Sequence, residues 1–258
     1  MPAVLVIPSV VALALLLLPV VGLVVRAPWS RLGSLDDPVV VDALRLSAIT
    51  STASTVVVVV LGLPLAWVLA RVEFRGKKLV RAFVTVPLIL PPVVGGVALL
   101  TAFGVRGIVG QPLLDVLGVR ITFTTAAVVL AQTFVSLPFL VISVEGALRT
   151  ADRRFDEVAA SLGASRWRTF RRVTVPLAAP GLAGGAALAW ARALGEFGAT
   201  ITFAGNFQGT TRTTTLEIYG RLQSSDPDVA ILLSLVLLGI SVLILVLLRE
   251  RWVAGGLR

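Results

Sequence analysis

The sequence predicts an all-α polytopic membrane protein with six transmembrane helices, and three observations carry that prediction. Apolar residues fill 57% of 258 positions against 14% charged, and mean hydropathy is +0.96. The apolar residues come in runs of about 20, the length a helix needs to cross a hydrocarbon core roughly 30 Å thick. Most of the charges gather between those runs. Inside lipid each backbone donor must be satisfied within its own segment, so the runs are helices. A single transmembrane domain over 1–258 is expected.

Spans are expected at about 4–25, 44–70, 79–104, 122–148, 177–203 and 229–248. The first has no Lys or Arg ahead of Val4 and stays apolar to Val25, longer than the apolar stretch of a signal peptide, so it reads as a retained span. The second carries Ser47, Thr50, Ser51, Ser54 and Thr55 at helical spacing, a hydroxyl stripe on one face. Such a stripe suits helix packing or donation to a passing oxyanion. The third holds the strongest break, Pro87 through Leu90-Pro91-Pro92 to Gly95-Gly96, where prolines kink the helix and free carbonyls. Irregular backbone at that depth is either packed against neighbours or lines a pathway. Pro8, Pro19, Pro64 and Pro138 interrupt other spans.

The fifth span opens on Gly181, Gly185 and Ala189, a small-residue ridge for close helix packing. It continues to Arg192 and Glu196, four residues apart and so on one helix face. A charge at bilayer centre costs at least ~2.5 kcal/mol on insertion scales, so each should face the bundle interior and find a partner. They pair with each other for structure, support a gate, or contact substrate.

Orientation follows from the cations. Five Lys and Arg lie in 71–81, seven in the loop 149–174 (Arg153 among them) and three in the tail (Arg249, Arg251 and Arg258); the other side carries seven across three connections. The positive-inside rule puts both basic loops and both termini in the cytoplasm, and an even number of spans agrees. The net charge of +9 is thus an orientation signal and not a nucleic-acid footprint. Membrane lipid is the expected surrounding.

The chain has no Cys and no His, which removes disulfides, thiolate chemistry and imidazole bases. Glu145 and Glu196 are the only acids within the expected spans, too few for an intramembrane enzyme. The single Gly-Lys pair, Gly76-Lys77, has Arg71 where the first glycine of a P-loop belongs and Lys78 where Ser or Thr belongs. No catalytic, cofactor or metal site is expected.

The loop from Arg149 to Pro176 is too long for a turn and too polar for the bilayer. Asp152 suits an N-cap, Phe155, Val158, Ala159 and Leu162 fall on one helix face, and Gly163 is placed to end the helix. A second short turn over Arg166–Arg172 carries Trp167 and Phe170, and Pro176 opens the next span. The small apolar face must be covered by the membrane interface or by a groove on a soluble partner.

Glu157-Val158-Ala159, then Gly163 six positions after the Glu, then Val173-x-Val175-Pro176 ending nineteen positions after it, resembles the EAA loop of ABC importer permeases at each anchor. The departures are conservative: Val158 for Ala, Val173 for Ile, Val175 for Leu. The resemblance implies a coupling helix in which Glu157, Val158, Ala159, Ala160, Ser161, Leu162, Gly163 and Ala164 seat on a separate ATP-hydrolysing subunit. ATP and Mg would be held by that partner. The run Ala191 to Thr200 with Phe203 to Asn206, Pro91 to Gly96, and Thr211 to Tyr219 is similar to the molybdate and sulfate branch, closer to molybdate permeases. It implies a homodimer importing an oxyanion handed over by an extracytoplasmic binding protein. Ser47, Ser51, Ser54, Pro91, Pro92, Arg192, Glu196 and Thr200 are the candidates for pathway or gate. The alternatives are a sulfate, thiosulfate or tungstate permease, or an ATP-independent channel or carrier.

Overall fold

The computed structural model describes residues 3–152, 154–224 and 226–255. Arg153 and Arg258 of the cation count lie outside the described residues, as do the side chains of Arg249 and Arg251. Among the described residues the chain is helical, without strands. Helix α1 spans Ala3–Val25, α2 Pro38–Arg71, α3 Lys77–Ile89, α4 Pro92–Phe103, α5 Gly110–Leu117 and α6 Thr125–Thr150. Then follow α7 Arg154–Ser161, α8 Arg166–Thr169, α9 Val175–Leu194, α10 Gly198–Ala204, α11 Thr214–Gln223 and α12 Pro227–Gly255. A 3₁₀ segment, Trp29–Asp36, joins α1 to α2.

Among the described residues five helices are long and apolar enough to cross a membrane, and α3 with α4 makes a candidate sixth that is bent by 119°. The end contacts establish that this bent pair crosses. Arg71, closing α2, lies 3.5 Å from Asp156, just beyond α6, and Arg81 of α3 reaches both Glu145 of α6 and the Leu69 carbonyl. At the other end Asp37 pairs with Arg221, Thr214 N–H donates to Ser47 Oγ, and Thr125 Oγ1 donates to the Thr210 carbonyl. Helices α2 and α6 therefore run in the same direction, and the segment between them makes one net crossing. The count is six.

The core is a three-helix packing of α2, α6 and α9 around Val58, Ala66, Leu69, Leu140, Val141, Val144, Ala178 and Ala189. The expected small-residue ridge is what lets α9 approach α6. A Cβ on Gly181 would stand 2.5 Å from Ala147 Cβ, and one on Gly185 would stand 2.9 Å from Ser143 Cβ. Outside this core, α1 buries none of its described side chains.

Two expectations about span boundaries are corrected. The fifth span is not one helix over 177–203: it breaks at Gly195-Glu196-Phe197 into α9 and α10. Pro176 does not open the span, because α8, a π-helical turn over Phe170–Thr174 and α9 follow one another without a break from Arg166. A proline in the first turn of α9 is tolerated since the wider π turn ahead of it already alters the hydrogen-bond ladder. The remaining prolines behave differently from one another. Pro8, Pro19, Pro64, Pro87, Pro138 and Pro180 sit inside helices, whereas Pro91-Pro92 lies at the break between α3 and α4.

Candidate functional site

Two places gather the residues singled out by sequence, one at each break in helical regularity. The first is the loop after α6. Asp152 Oδ1 accepts the Arg154 N–H at 2.9 Å and starts α7. The helix ends at Gly163, whose φ of +78° is open to glycine and strained for other residues. Gly163 N–H donates to the Ala160 carbonyl and Ala164 N–H to the Ala159 carbonyl, both at 3.0 Å, the paired bonds that satisfy a helix C-terminus. Between these caps Phe155, Val158 and Leu162 stand exposed, Leu162 by 81%, while Ala159 is half-buried. An eight-residue helix is too short to persist on its own propensity, so its caps and its tether maintain it.

The tether is a polar contact to α2 and α9. Asp156 Oδ1 accepts from Thr174 Oγ1 at 3.1 Å, and Asp156 Oδ2 lies 3.5 Å from Arg71 Nη2. Arg71 is a buried guanidinium at the end of α2, and it lines a cleft of about 360 Å³ with Trp67, Glu157, Ala160, Ala164 and Phe170. Trp67, Phe170 and Trp167 continue this contact as a chain of rings 6.0 and 5.6 Å apart. Motion of α7 is thereby linked to the ends of α2 and α9. Sequence reasoning missed Arg71 and Asp156, which periodicity leaves as ordinary loop charges.

The second place lies within the bundle, where the two broken spans meet. Helix α4 begins at Pro92 and α10 at Gly198, and the two starts touch: a Cβ on Gly198 would lie 2.5 Å from Pro92 Cβ. Further along, a Cβ on Gly96 would lie 2.6 Å from Thr202 Cβ and 3.0 Å from the Ala199 carbonyl. Leu99, Val128, Ala131, Ala199 and Phe203 close the packing of α4 and α10 onto α6.

Glu196 organises the break. It is 1% exposed, it pairs with Arg192 Nη1 at 2.6 Å, and its Oε1 accepts the Ala199 N–H at 2.8 Å, capping α10. Its own carbonyl accepts from Thr215 Oγ1 at 2.8 Å, tying the break to α11. Arg192 and Glu196 thus meet as their spacing foretold, although Glu196 lies just past the end of α9. The pair sets one Glu196 oxygen against Arg192, and the other oxygen meets the Ala199 N–H.

The hydroxyl stripe is also engaged by protein. Ser47 Oγ accepts from Thr214 N–H at 2.7 Å, Ser54 Oγ accepts from Thr133 Oγ1 at 3.3 Å, and Ser51 Oγ donates to the Ala48 carbonyl at 3.3 Å. In this conformation Ser47 and Ser54 hold helices together, while the Ser51 bond stays within α2. Thr200 and Gln132 are fully buried, and the Thr200 hydroxyl and both Gln132 amide atoms have no hydrogen-bond partner. Sequence reasoning named Thr200 and passed over Gln132, because one amide in an apolar run carries no periodic signal.

Among the described residues no group of His, Cys, Asp and Glu could hold a metal ion. Candidate spans, two of them broken against each other, and a capped helix with an exposed apolar face at one end describe a polytopic membrane protein.

Comparison with known proteins defines the kind. Residues 59–255 match the family described as binding-protein-dependent transport system inner membrane component, and the chain belongs to it. It is 49% identical over 249 residues to the molybdenum transport system permease protein ModB of Mycobacterium tuberculosis, covering 96% of this chain and 94% of that one. It is 35% identical over 235 residues to the sulfate transport system permease protein CysT of Escherichia coli, covering 90% and 84%. In fold it is similar to the crystal structure of a bacterial ABC transporter involved in alginate import, with a TM-score of 0.76 at 18% identity over 96% of this chain and 93% of that one. The protein is thus a multi-pass inner-membrane component, and its relatives are transport subunits.

Proposed function

We propose that this chain is the permease subunit of an ATP-driven ABC importer that brings molybdate across the cytoplasmic membrane. Two copies enclose the pathway, and an extracytoplasmic binding protein delivers the oxyanion to the face bearing the 3₁₀ segment, α5 and α11. Both termini and the 71–81 and 149–176 loops face the cytoplasm, where fifteen of the cations lie. Two ATPase subunits, each holding ATP and Mg, grip Glu157 to Ala164.

The observation that carries this reading is the exposed Phe155, Val158 and Leu162 face on a helix capped at both ends. It belongs to a chain 49% identical to a molybdenum permease. Lipid alone asks only for an apolar surface. A helix held rigid and tethered to α2 and α9 is built to transmit force, and helix-in-groove docking uses such anchors.

The α4–α10 unit supplies the moving part. Pro91 and Pro92 give it a hinge on one strand of the chain and Gly195 gives one on the other. The Arg192–Glu196 pair holds the second hinge shut. Ser47 and Ser54, once their present partners have moved, and Ser51 and Thr200 beside them donate to the passing oxyanion, as broken helices at membrane depth do in alternating access.

Reconstitution with the ATPase and binding protein tests the proposal. ATP-dependent uptake of molybdate in preference to sulfate is the expected result. Sulfate preference would transfer the chain to the sulfate permeases, and equal uptake without ATPase would make it a channel or carrier.

A further inference from the structure

The turn between α2 and α3 forms a cleft of about 390 Å³ lined by Glu73, Phe74, Gly76, Lys77, Lys78, Arg81 and Arg149. Four cations and one carboxylate line it. Lys77 is paired with Glu73 at 2.7 Å and Arg81 with Glu145. Arg149 reaches Glu145 only at 3.9 Å with 61% of its side chain exposed, and Lys78 has no hydrogen-bond or ion-pair partner among the described residues. Positive charge therefore remains in excess.

Its position sharpens the excess. The N-terminus of α3 is capped by Gly76 at φ +90°, with no side-chain acceptor and no acid in the first turn. Lys77, Lys78 and Arg81 sit there instead, at the positive end of the helix dipole, where cations are disfavoured and an anion is attracted. Glu73 and Glu145 offset Lys77 and Arg81, and among the described residues no ion pair offsets Lys78.

Directly beyond it the surface turns apolar. Leu79, Phe83 and Val86 recur at i, i+4 and i+7 on α3, and all three are exposed. A cationic mouth over an apolar helix face fits a phosphate headgroup with acyl chains running down the helix.

We propose that this cleft is a binding site for an anionic glycerophospholipid of the inner leaflet. Its phosphate sits among Lys78, Arg149 and the first N–H groups of α3, and its chains lie on Leu79 and Phe83. The lipid supplies the counter-charge that α3 lacks, and it seats the helix that leads into the Pro91-Pro92 hinge.

Calorimetric titration of the full-length protein in neutral detergent tests this, with dihexanoylphosphatidylglycerol, dihexanoylphosphatidylcholine and glycerol 3-phosphate as probes. Phosphatidylglycerol should bind about thirtyfold tighter than phosphatidylcholine, the scale expected for a pair of cations near an anionic headgroup. Lys78→Gln with Arg149→Gln should abolish the preference. Lys78→Glu alone, at an exposed position where folding is not at stake, should weaken it. Equal binding of the two lipids, or a preference untouched by Lys78→Glu, would overturn the site. Glycerol 3-phosphate binding as tightly as the lipid would make it a free-anion site, and displacement of lipid by the ATPase subunit would make it a protein interface.

Discussion

At the scale of single residues, the buried carboxylate of Glu196 does the most. It faces a guanidinium on one oxygen and a backbone N–H on the other, so changing either member of the pair should have a different effect. Glu196→Gln keeps an acceptor for the Ala199 N–H and removes the charge opposite Arg192. Because Arg192 is about a third exposed, the loss should be about 1–3 kcal/mol, below that of breaking a fully buried pair. Arg192→Ala leaves the carboxylate buried without its cation and should cost more, about 3–5 kcal/mol. Melting temperatures of the purified variants in detergent give the order; an unchanged value for both would remove the pair from any role. Gly163 is the second such residue. Gly163→Val forces a branched side chain into the left-handed region at a cost of at least about 1–2 kcal/mol, and it should loosen the end of α7. Membrane insertion should persist while ATP hydrolysed per molybdate imported rises several-fold; an unaltered ratio would count against docking through this helix.

At the scale of elements, the two helix starts meet in a close joint. Gly198→Ala places a methyl group 2.5 Å from Pro92 Cβ, and overpacking of that kind costs about 1–3 kcal/mol. The variant should melt lower and transport more slowly, and a pairing with Pro92→Ala, which clears the space, should restore part of both. A non-additive recovery is the sign that α4 and α10 act together. The outer ends of α2, α11 and α12 are joined differently, by charge. Arg221 contacts Glu217 at 2.6 Å, Asp37 at 2.7 Å and Asp226 at 3.4 Å, and Arg31 joins Asp226 to Asp228. The hydrogen bond from Arg221 holds the Asp37 carboxyl below its ordinary range, helped by the Val39 N–H. Bonding to Glu217 foremost, then to Asp37, holds the Arg221 guanidinium above its own. A carboxylate with a lowered folded pKa stabilises above its unfolded value, near 4, and the gain is lost as pH falls through the folded value. The raised guanidinium would lose its contribution only far above physiological pH. With no histidine in the chain, thermal stability should stay flat from about pH 5.5 to 8 and fall below about pH 4. Asp37→Asn should be less stable at neutral pH and show a shallower acid decline.

At the scale of the whole molecule, force applied at α7 has a continuous route into the membrane. Asp156 ties the helix to Arg71 on α2 and Thr174 ahead of α9, and α9 leads straight to the break at Gly195. A two-state bundle pulled at one end can therefore reorganise at its middle. Cysteine cross-linking checks the outer end of that route in a background that has no native cysteine. Cysteines placed at Val158 and Leu162 should trap the ATPase subunit in high yield, and one placed at Phe83 on α3 should not. Labelling of Val158 and Leu162 by lipid probes alone would leave the helix on the bilayer and the importer without a coupling point.

The character of the protein was legible in the residue order because apolar run length, cation placement and the Glu157–Gly163–Pro176 spacing are properties along the chain. Six crossings, the Asp152 and Gly163 caps and the α9 ridge all follow from such one-dimensional signals. The breaks do not. Pro91-Pro92 marks an interruption but not a 119° turn, and Gly195 gives no warning that span five divides, since both depend on what packs alongside. The same holds for Arg71, Asp156 and Gln132, which look like unremarked polar residues until folding brings α2, α6 and α9 together. Contacts between residues far apart in sequence, in a packed interior that leaves few polar atoms unmet, set Ser47 against α11, Ser54 against α6 and Glu196 at the start of α10.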